Sequence, residues 1–246
     1  MFLALSLIIF ACKKSKDETP IASFSVNTTE PSVGQPVSFI NDSQNGQSFE
    51  WNFGDGYTST DRDPIHTFTS TGSFEVILSA VSKSGISDTA RLTLNVLIPT
   101  LLEIDVREYY SQDVIPGASI ILYPTLADWD AQTNSVVEGF TDADGVAVFS
   151  NLNPIVYYVD VWEATHDNYT LRNEDVGFIR TPEVLPHKIN QFIAWVDVAD
   201  HTQGVARGSR GWIIKKLGRK ASDMRQPAAY EGTEGWQEIY NRRVGK

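Results

Sequence analysis

An all-β protein of two β-sandwich domains in tandem is predicted by three observations. Val, Ile, Thr and aromatic residues recur along the chain while long Ala-Leu-Glu runs are missing, a balance that suits half-buried strands over helices. Apolar and polar residues alternate in short runs, and clusters of Gly, Pro, Asn and Ser separate them, so the side-chain period is two and the chain turns back often. At 246 residues and 41% hydrophobic content the chain is long enough for two cores. The division we read is a signal and linker at 1–19, domains at 20–97 and 98–200, and an extension at 201–246.

Phe2 to Ala11 read "FLALSLIIFA", an apolar run too short to span a bilayer as a helix. Ala11 precedes Cys12, and the polar "KKSKDETP" follows. This order resembles a bacterial lipoprotein signal, which implies cleavage before Cys12 and a lipid on its thiol. An ordinary cleaved signal and a buried apolar strand are the alternatives. Cys12 is the one cysteine, so no intrachain disulfide forms. The lipoprotein reading implies export in a Gram-negative bacterium and a membrane anchor at the outer membrane or cell surface. Lys13 and Lys14 do not resemble an inner-membrane retention signal.

From Pro20 onward the alternation is strict. Phe24 and Val26 share a face, as do Val37 and Phe39, and Phe49, Trp51 and Phe53. Phe74, Val76, Leu78 and Ala80 form the next stripe, and Leu92, Leu94 and Val96 the last. The turn signals "EPSVGQP", "NGQ", "GDG", "STG" and "KSG" separate these runs. A small antiparallel sandwich follows, with its core between two sheets. In "WNFGDG", Trp51 and Phe53 are expected to point inward, and Asp55 to bond nearby backbone amides. Gly54 and Gly56 are expected in conformations that a side chain would hinder. No helix or lysine follows this loop in the place a phosphate cradle needs.

"WNFGDG" followed by "PIHTFTSTGSFEVILSAVS" resembles the PKD (polycystic kidney disease) domain family, an immunoglobulin-like sandwich. The resemblance rests on Trp51, Phe53, Gly54, Asp55, Gly56, Pro64, His66, Phe68, Gly72, Phe74 and Val76. It implies a structural, hydrogen-bonded role for His66. Some members of the family bind calcium, so Asp42 and Asp55 are candidate carboxylate ligands, although calcium takes six to eight oxygens.

Beyond Pro99 the alternation resumes with Leu102, Ile104 and Val106, then Ala118, Ile120 and Leu122. "VIPGASIILYP" and "EGFTDADGVAVFSNLNPIVYYVDVWE" resemble the transthyretin-like modules of carboxypeptidase regulatory domains and collagen-adhesin B-type repeats. The resemblance runs through Pro116, Gly117, Thr141, Asp142, Asp144, Gly145, Phe149 and Tyr157, with a last strand at Asn190–Val198. Asp142-Ala143-Asp144-Gly145 reads as a tight hairpin turn, since a bare DxDG lacks the further ligands of a calcium loop. "LLEIDVREYY" has no lysine, so the isopeptide bond of some adhesin modules is not expected. Two long connections, Pro124–Val136 and Ala164–Lys188, are candidate binding loops. Trp129 and Tyr169 are their candidate ligand-binding residues, although for Trp129 closure of the sandwich end is the favoured reading and stacking on a sugar or partner side chain the alternative.

The formal charge of −11 argues against a nucleic-acid partner. Residues 98–200 hold 4 basic and 17 acidic side chains, whereas residues 201–246 hold 10 basic and 4 acidic. The basic extension is read either as folding over the acidic domain or as docking to an acidic partner. Trp212, Ile213, Ile214 and Leu217 are expected in a strand or short helix, and "GWQEIYNRR" in a terminal helical turn. There is no GxSxG elbow, and His66, His166, His187 and His201 form no close-spaced ligand pair. The expectation is a non-catalytic envelope lipoprotein that binds protein or polysaccharide without a required cofactor. The alternatives are an accessory subunit docked through its basic tail and a cryptic hydrolase.

Overall fold

The computed structural model describes residues 18–199, 220–224, 226–227 and 235–244. Cys12, the apolar run before it, and Trp212, Ile213, Ile214 and Leu217 lie outside the described residues. The chain forms two compact units, divided between Leu97 and Ile98. The fold is all-β, with short helices confined to connections and to the extension.

The first unit contains β1 (Phe24–Val26), β2 (Pro36–Asn41), β3 (Ser48–Asn52), β4 (Thr58–Ser59), β5 (Ile65–Thr67), β6 (Gly72–Val81) and β7 (Ser87–Val96). One sheet has the order β1-β2-β5 and the other β4-β3-β6-β7. All pairs are antiparallel, and β6 and β7 register from Gly72↔Val96 to Val81↔Ser87. The alternating stripes meet between the sheets: Val37, Phe39, Trp51, Phe53, Val76, Leu78 and Leu94 are buried in one cluster. Trp51 reconciles its indole N–H with this setting by donating to the Asp61 carbonyl at 2.9 Å.

The second unit contains β8 (Leu101–Glu108), β9 (Ser119–Tyr123), α1 (Leu126–Ala131), β10 (Val137–Phe140), β11 (Val146–Ser150), β12 (Tyr158–Glu163), β13 (His166–Asp167), α2 (Tyr169–Glu174), β14 (Ile189–Val198) and α3 (Trp236–Val244). Its strands run in the order β10-β9-β12-β13-β14-β8-β11. Leu102, Ile104, Ile120, Leu122, Phe149 and Phe192 belong to its main core. Two-residue β13 joins the halves, pairing Asp167 with Trp162 on one side and with Asp197 on the other. β14 runs parallel to β8, from Ile189↔Leu101 to Val196↔Glu108. Buried Asn190 fastens the start of that pairing, with Nδ2 donating to the Leu101 carbonyl at 3.0 Å and Oδ1 accepting from Leu185 N–H at 2.8 Å.

The expected hairpin at Asp142–Gly145 is corrected by this topology. β10 pairs with β9 and β11 with β8, so the turn carries the chain from the edge of one half to the edge of the other. The turn itself is tight: Asp142 Oδ1 accepts the N–H groups of Asp144 and Val146 at 2.9 and 3.1 Å. Gly145 sits at φ +77°, and a Cβ there would lie 2.9 Å from Val114 Cβ. The Asp-Gly chemistry sets a reversal, but what the two strands then pair with is decided by the sheet.

The described parts of the extension rest on the second unit. Ala221 and Met224 pack against Leu171, Phe178 and Trp195. The Gln226 carboxamide accepts from Ile193 N–H at 2.9 Å and donates to the Ile193 carbonyl at 3.1 Å, standing in for a neighbouring strand on β14. α3 lies against β11.

Candidate binding surfaces

The glycine-rich loop after β3 is built by side-chain bonds to its own backbone. Asn52 Oδ1 accepts from Gly54 N–H at 2.9 Å, and Asp55 Oδ1 accepts from Tyr57 N–H at 3.1 Å. Gly54 has φ +82°, and a Cβ would meet the Glu75 carbonyl oxygen at 2.8 Å, so β6 leaves no space for a side chain. Asp55 Oδ2 lies 2.7 Å from His66 Nε2, with both side chains about one-tenth exposed. The His66 ring stacks on Phe53 at 4.1 Å between centroids and 7° between planes. Gly72 opens β6 at φ +140°. Loop, histidine and core aromatic therefore form one structural unit.

Asp42, the other candidate calcium ligand, accepts from Ser25 Oγ at 3.0 Å through Oδ2. It and Asp55 are satisfied by separate protein donors. Among the described residues no group of three or more His, Cys, Asp or Glu side chains is placed to hold a metal ion.

The two long connections of the second unit pack on each other. Trp129 in α1 and Tyr169 in α2 are 4% and 7% exposed and share a cluster with Tyr123 and Ile179. Their rings meet edge to face at 5.3 Å. Arg172, one turn along α2, lies over the Trp129 ring at 5.8 Å and forms a salt bridge with Asp130. Of the two readings of Trp129, closure of the sandwich end is the one its burial matches, and Trp129 and Tyr169 are corrected as candidate ligand-binding residues. Each hides its face in the contact that seals this end of the unit. The sequence showed polar neighbours, Asp128 and Asp130, but the helical period turns Trp129 away from both.

Under this seal lies a polar cluster that the sequence reading missed. Asp160, Asp167 and Asn168 are buried. Tyr169 Oη donates to Asp160 at 3.1 Å, and its backbone N–H donates to Asp167 at 3.0 Å. Asn168 bridges β12, donating to the Val159 carbonyl at 2.8 Å and accepting from Val161 N–H at 3.2 Å. Burial foremost, with the charges of Asp197 and Asp160, pushes the Asp167 carboxyl up to about 6. "HDNY" carries the local signal, since three polar residues interrupt an otherwise apolar strand neighbourhood.

His166 and His187 are also engaged, and His201 lies outside the described residues. His166 Nδ1 lies 3.1 Å from Glu163, and His187 Nδ1 lies 3.1 Å from the Ile98 carbonyl. His166 Nδ1 also lies 3.0 Å from the Thr165 hydroxyl, which itself donates to Glu163 Oε2 at 2.9 Å, so the three side chains close a local turn between β12 and β13.

A cleft of about 410 Å³ lies between β10 and β11, with Arg242 of α3 at its side. Its floor includes Phe149, whose ring lies so near Gly139 that a Cβ there would approach within 2.9 Å. Phe140 stands on its rim at 66% exposure. Arg242 reaches Asp144 at 2.7 Å and Asp142 at 3.6 Å. Glu138, also in the lining, accepts from Ser119 Oγ at 2.6 Å.

The PKD domain pattern matches residues 17–96. A pre-pro-metalloprotease, PrtV, of Vibrio cholerae is 34% identical over 83 residues, which are 34% of this chain and 9% of that protein. A microbial collagenase of Vibrio alginolyticus is 35% identical over 91 residues, covering 37% of this chain and 10% of the relative. The crystal structure of the PKD1 domain of Vibrio anguillarum Epp is 30% identical, covering 34% of this chain and all of that one, with a TM-score of 0.30. The chain thus spans about a tenth of the length of these curated relatives. With the family match and the loop geometry in agreement, residues 17–96 are a PKD domain.

Proposed function

We propose that this chain is a non-catalytic binding module of an exported bacterial protein, holding protein or polysaccharide at the cell envelope. Anchoring through a lipid on Cys12 is part of this reading, as is a transthyretin-like identity for the second unit. The observation that carries it is the contrast within that unit. His166, Asp160 and Asp167 are engaged in structural bonds, while a cleft between β10 and β11 is accessible and has an exposed aromatic residue, Phe140, in its lining. That arrangement offers contact area for a partner. The PKD segment supports the same reading, since it recurs as a small fraction of two chains named as proteases. No cofactor enters the binding step.

The test is retention of the full chain by purified envelope material, with release of glycan and peptide products followed in the same samples. Saturable retention without release supports the module; turnover that disappears on replacing one acid pair establishes a hydrolase instead.

A second reading, an accessory subunit docked through the basic extension, is favoured by the 10 basic and 4 acidic residues of 201–246. Removing that extension separates the two. Loss of one protein partner with the fold retained supports the subunit, and unchanged retention supports the module.

A further inference from the structure

We propose that the face of β14 now covered by Ala221, Met224 and Gln226 is a docking site for an extended, basic segment of a partner protein. The chain's own residues hold the place until that partner displaces them. The proposal rests on the binding-module reading and gives it a site and a ligand chemistry.

Alternation along β14 sends two sets of side chains to two places. Phe192, Ala194 and Val196 belong to the main core. Ile193 and Trp195 lie between them and join Leu171 and Phe178 in a second cluster, against which Ala221 and Met224 pack. β8 pairs along one side of β14. On the other side, among the described residues, β13 pairs at Asp197 and Val198. Four residues earlier the Gln226 carboxamide takes both main-chain groups of Ile193, at 2.9 and 3.1 Å. A carboxamide is the side-chain form of a peptide group, so the main chain of an added strand satisfies the same pair and continues along β14.

The seated residues display what the site reads. Asp175 Oδ2 accepts the Ala221 main-chain N–H at 2.9 Å, while Oδ1 accepts Gly177 N–H at 2.8 Å. A Cβ on Gly177 would lie 2.8 Å from Ala221 Cβ, so the site takes a small residue there. Three positions on, Met224 supplies a long, adaptable apolar side chain. The Asp175 contact reads main chain, which any partner carries. Trp195 of the same cluster is 5% exposed, and its indole N–H has no acceptor among the described residues. A buried donor left unmade is costly, and the carbonyls of an added strand are acceptors. The chain's own residues therefore fill the site incompletely. Charge sets the class of segment. Residues 98–200 carry 17 acidic and 4 basic side chains, and Arg219, Lys220 and Arg225 accompany the seated residues in sequence.

The full chain is titrated with a fluorescent peptide of its own residues 219–228, while backbone amide and indole signals are recorded by NMR. Met224→Ser and Gln226→Glu each loosen the tethered occupant, which otherwise competes from within the same chain. Melting temperatures report whether each variant keeps its fold. The expected result is peptide binding about tenfold tighter in either folded variant than in the unaltered chain, with the largest shifts at Ile193 and the Trp195 indole. A peptide with Ser in place of Met binds about tenfold more weakly, and so does one with Glu in place of Arg and Lys at low salt. Envelope material retains both variants about tenfold more tightly than the unaltered chain, and excess peptide abolishes that gain. Equal peptide binding by all three chains overturns the proposal, as do strongest shifts elsewhere or loss of the fold in both variants. So does a dimer that either substitution abolishes, which makes a second copy the occupant. Retention that falls on loosening also overturns it, because the extension is then itself the docking element. Retention unchanged by either substitution or by the peptide removes only this site. No retention of any of the three chains removes the binding-module reading itself.

Discussion

His66 Nε2 lies 2.7 Å from Asp55 Oδ2 while the imidazole lies flat on Phe53, so one side chain ties the glycine-rich loop to the core. The carboxylate's other oxygen holds Tyr57 N–H. Replacing either partner strands a mostly buried polar group, and Asp55→Ala or His66→Ala is expected to cost about 1–3 kcal/mol. The double variant should cost less than the two summed. Chemical denaturation of all four proteins measures the coupling, and strict additivity would rule out the tie.

Gly54 and Gly56 have φ of +82° and +95°, but only Gly54 faces β6 across a gap that a Cβ would close to 2.8 Å. Gly56→Ala is therefore expected to cost about 1 kcal/mol from backbone strain alone. Gly54→Ala adds a clash with the Glu75 carbonyl and should cost more, in the range of about 2–4 kcal/mol. Equal melting temperatures for the two variants would contradict this difference.

Asp167 gives the second unit a pH dependence with a defined direction. Its folded pKa of about 6 exceeds the ordinary 3.8, so the folded state holds the proton more tightly than the unfolded chain. The resulting stabilisation is complete below about pH 4, declines between about pH 4 and 6, and is lost above, a change of roughly 3 kcal/mol. Asp167→Asn keeps an acceptor for Tyr169 N–H and removes the charge. Its stability relative to the unaltered chain should rise from pH 4 to pH 7. A gain independent of pH would assign the effect to packing.

Trp129 is predicted to matter for folding. Its ring is 4% exposed, and its indole N–H has no acceptor among the described residues. Trp129→Ala should cost about 3–5 kcal/mol, while Trp129→Phe keeps the ring contact with Tyr169 and sheds the orphan donor, costing about 1–2 kcal/mol. Thermal denaturation orders the two. Loss of envelope retention in a fully folded Trp129→Phe variant would restore this residue as a ligand contact.

Much of the first unit was legible because its sheets each bury one face, so the stripe from Phe74 to Ala80 declares itself by alternation. The loop at Gly54 was legible for a different reason, since Asn, Asp and Gly at fixed spacing encode backbone bonds within a few residues. The second unit hid more. Parallel pairing of β14 with β8 joins residues nearly ninety positions apart, and no local pattern states it. The turn at Asp142–Gly145 announced a reversal without its strand partners. Burial of Trp129 was legible as closure of the sandwich end, but the short helix that turns it inward between two aspartates was not. The cleft beside Phe140 is a product of strand order and had no signature in sequence.

The most direct test of the central claim incubates the full chain with purified envelope material and follows bound protein and soluble products together. The account predicts saturable retention with no release of glycan or peptide above background. Release of products by turnover, or no retention at any concentration, would contradict it.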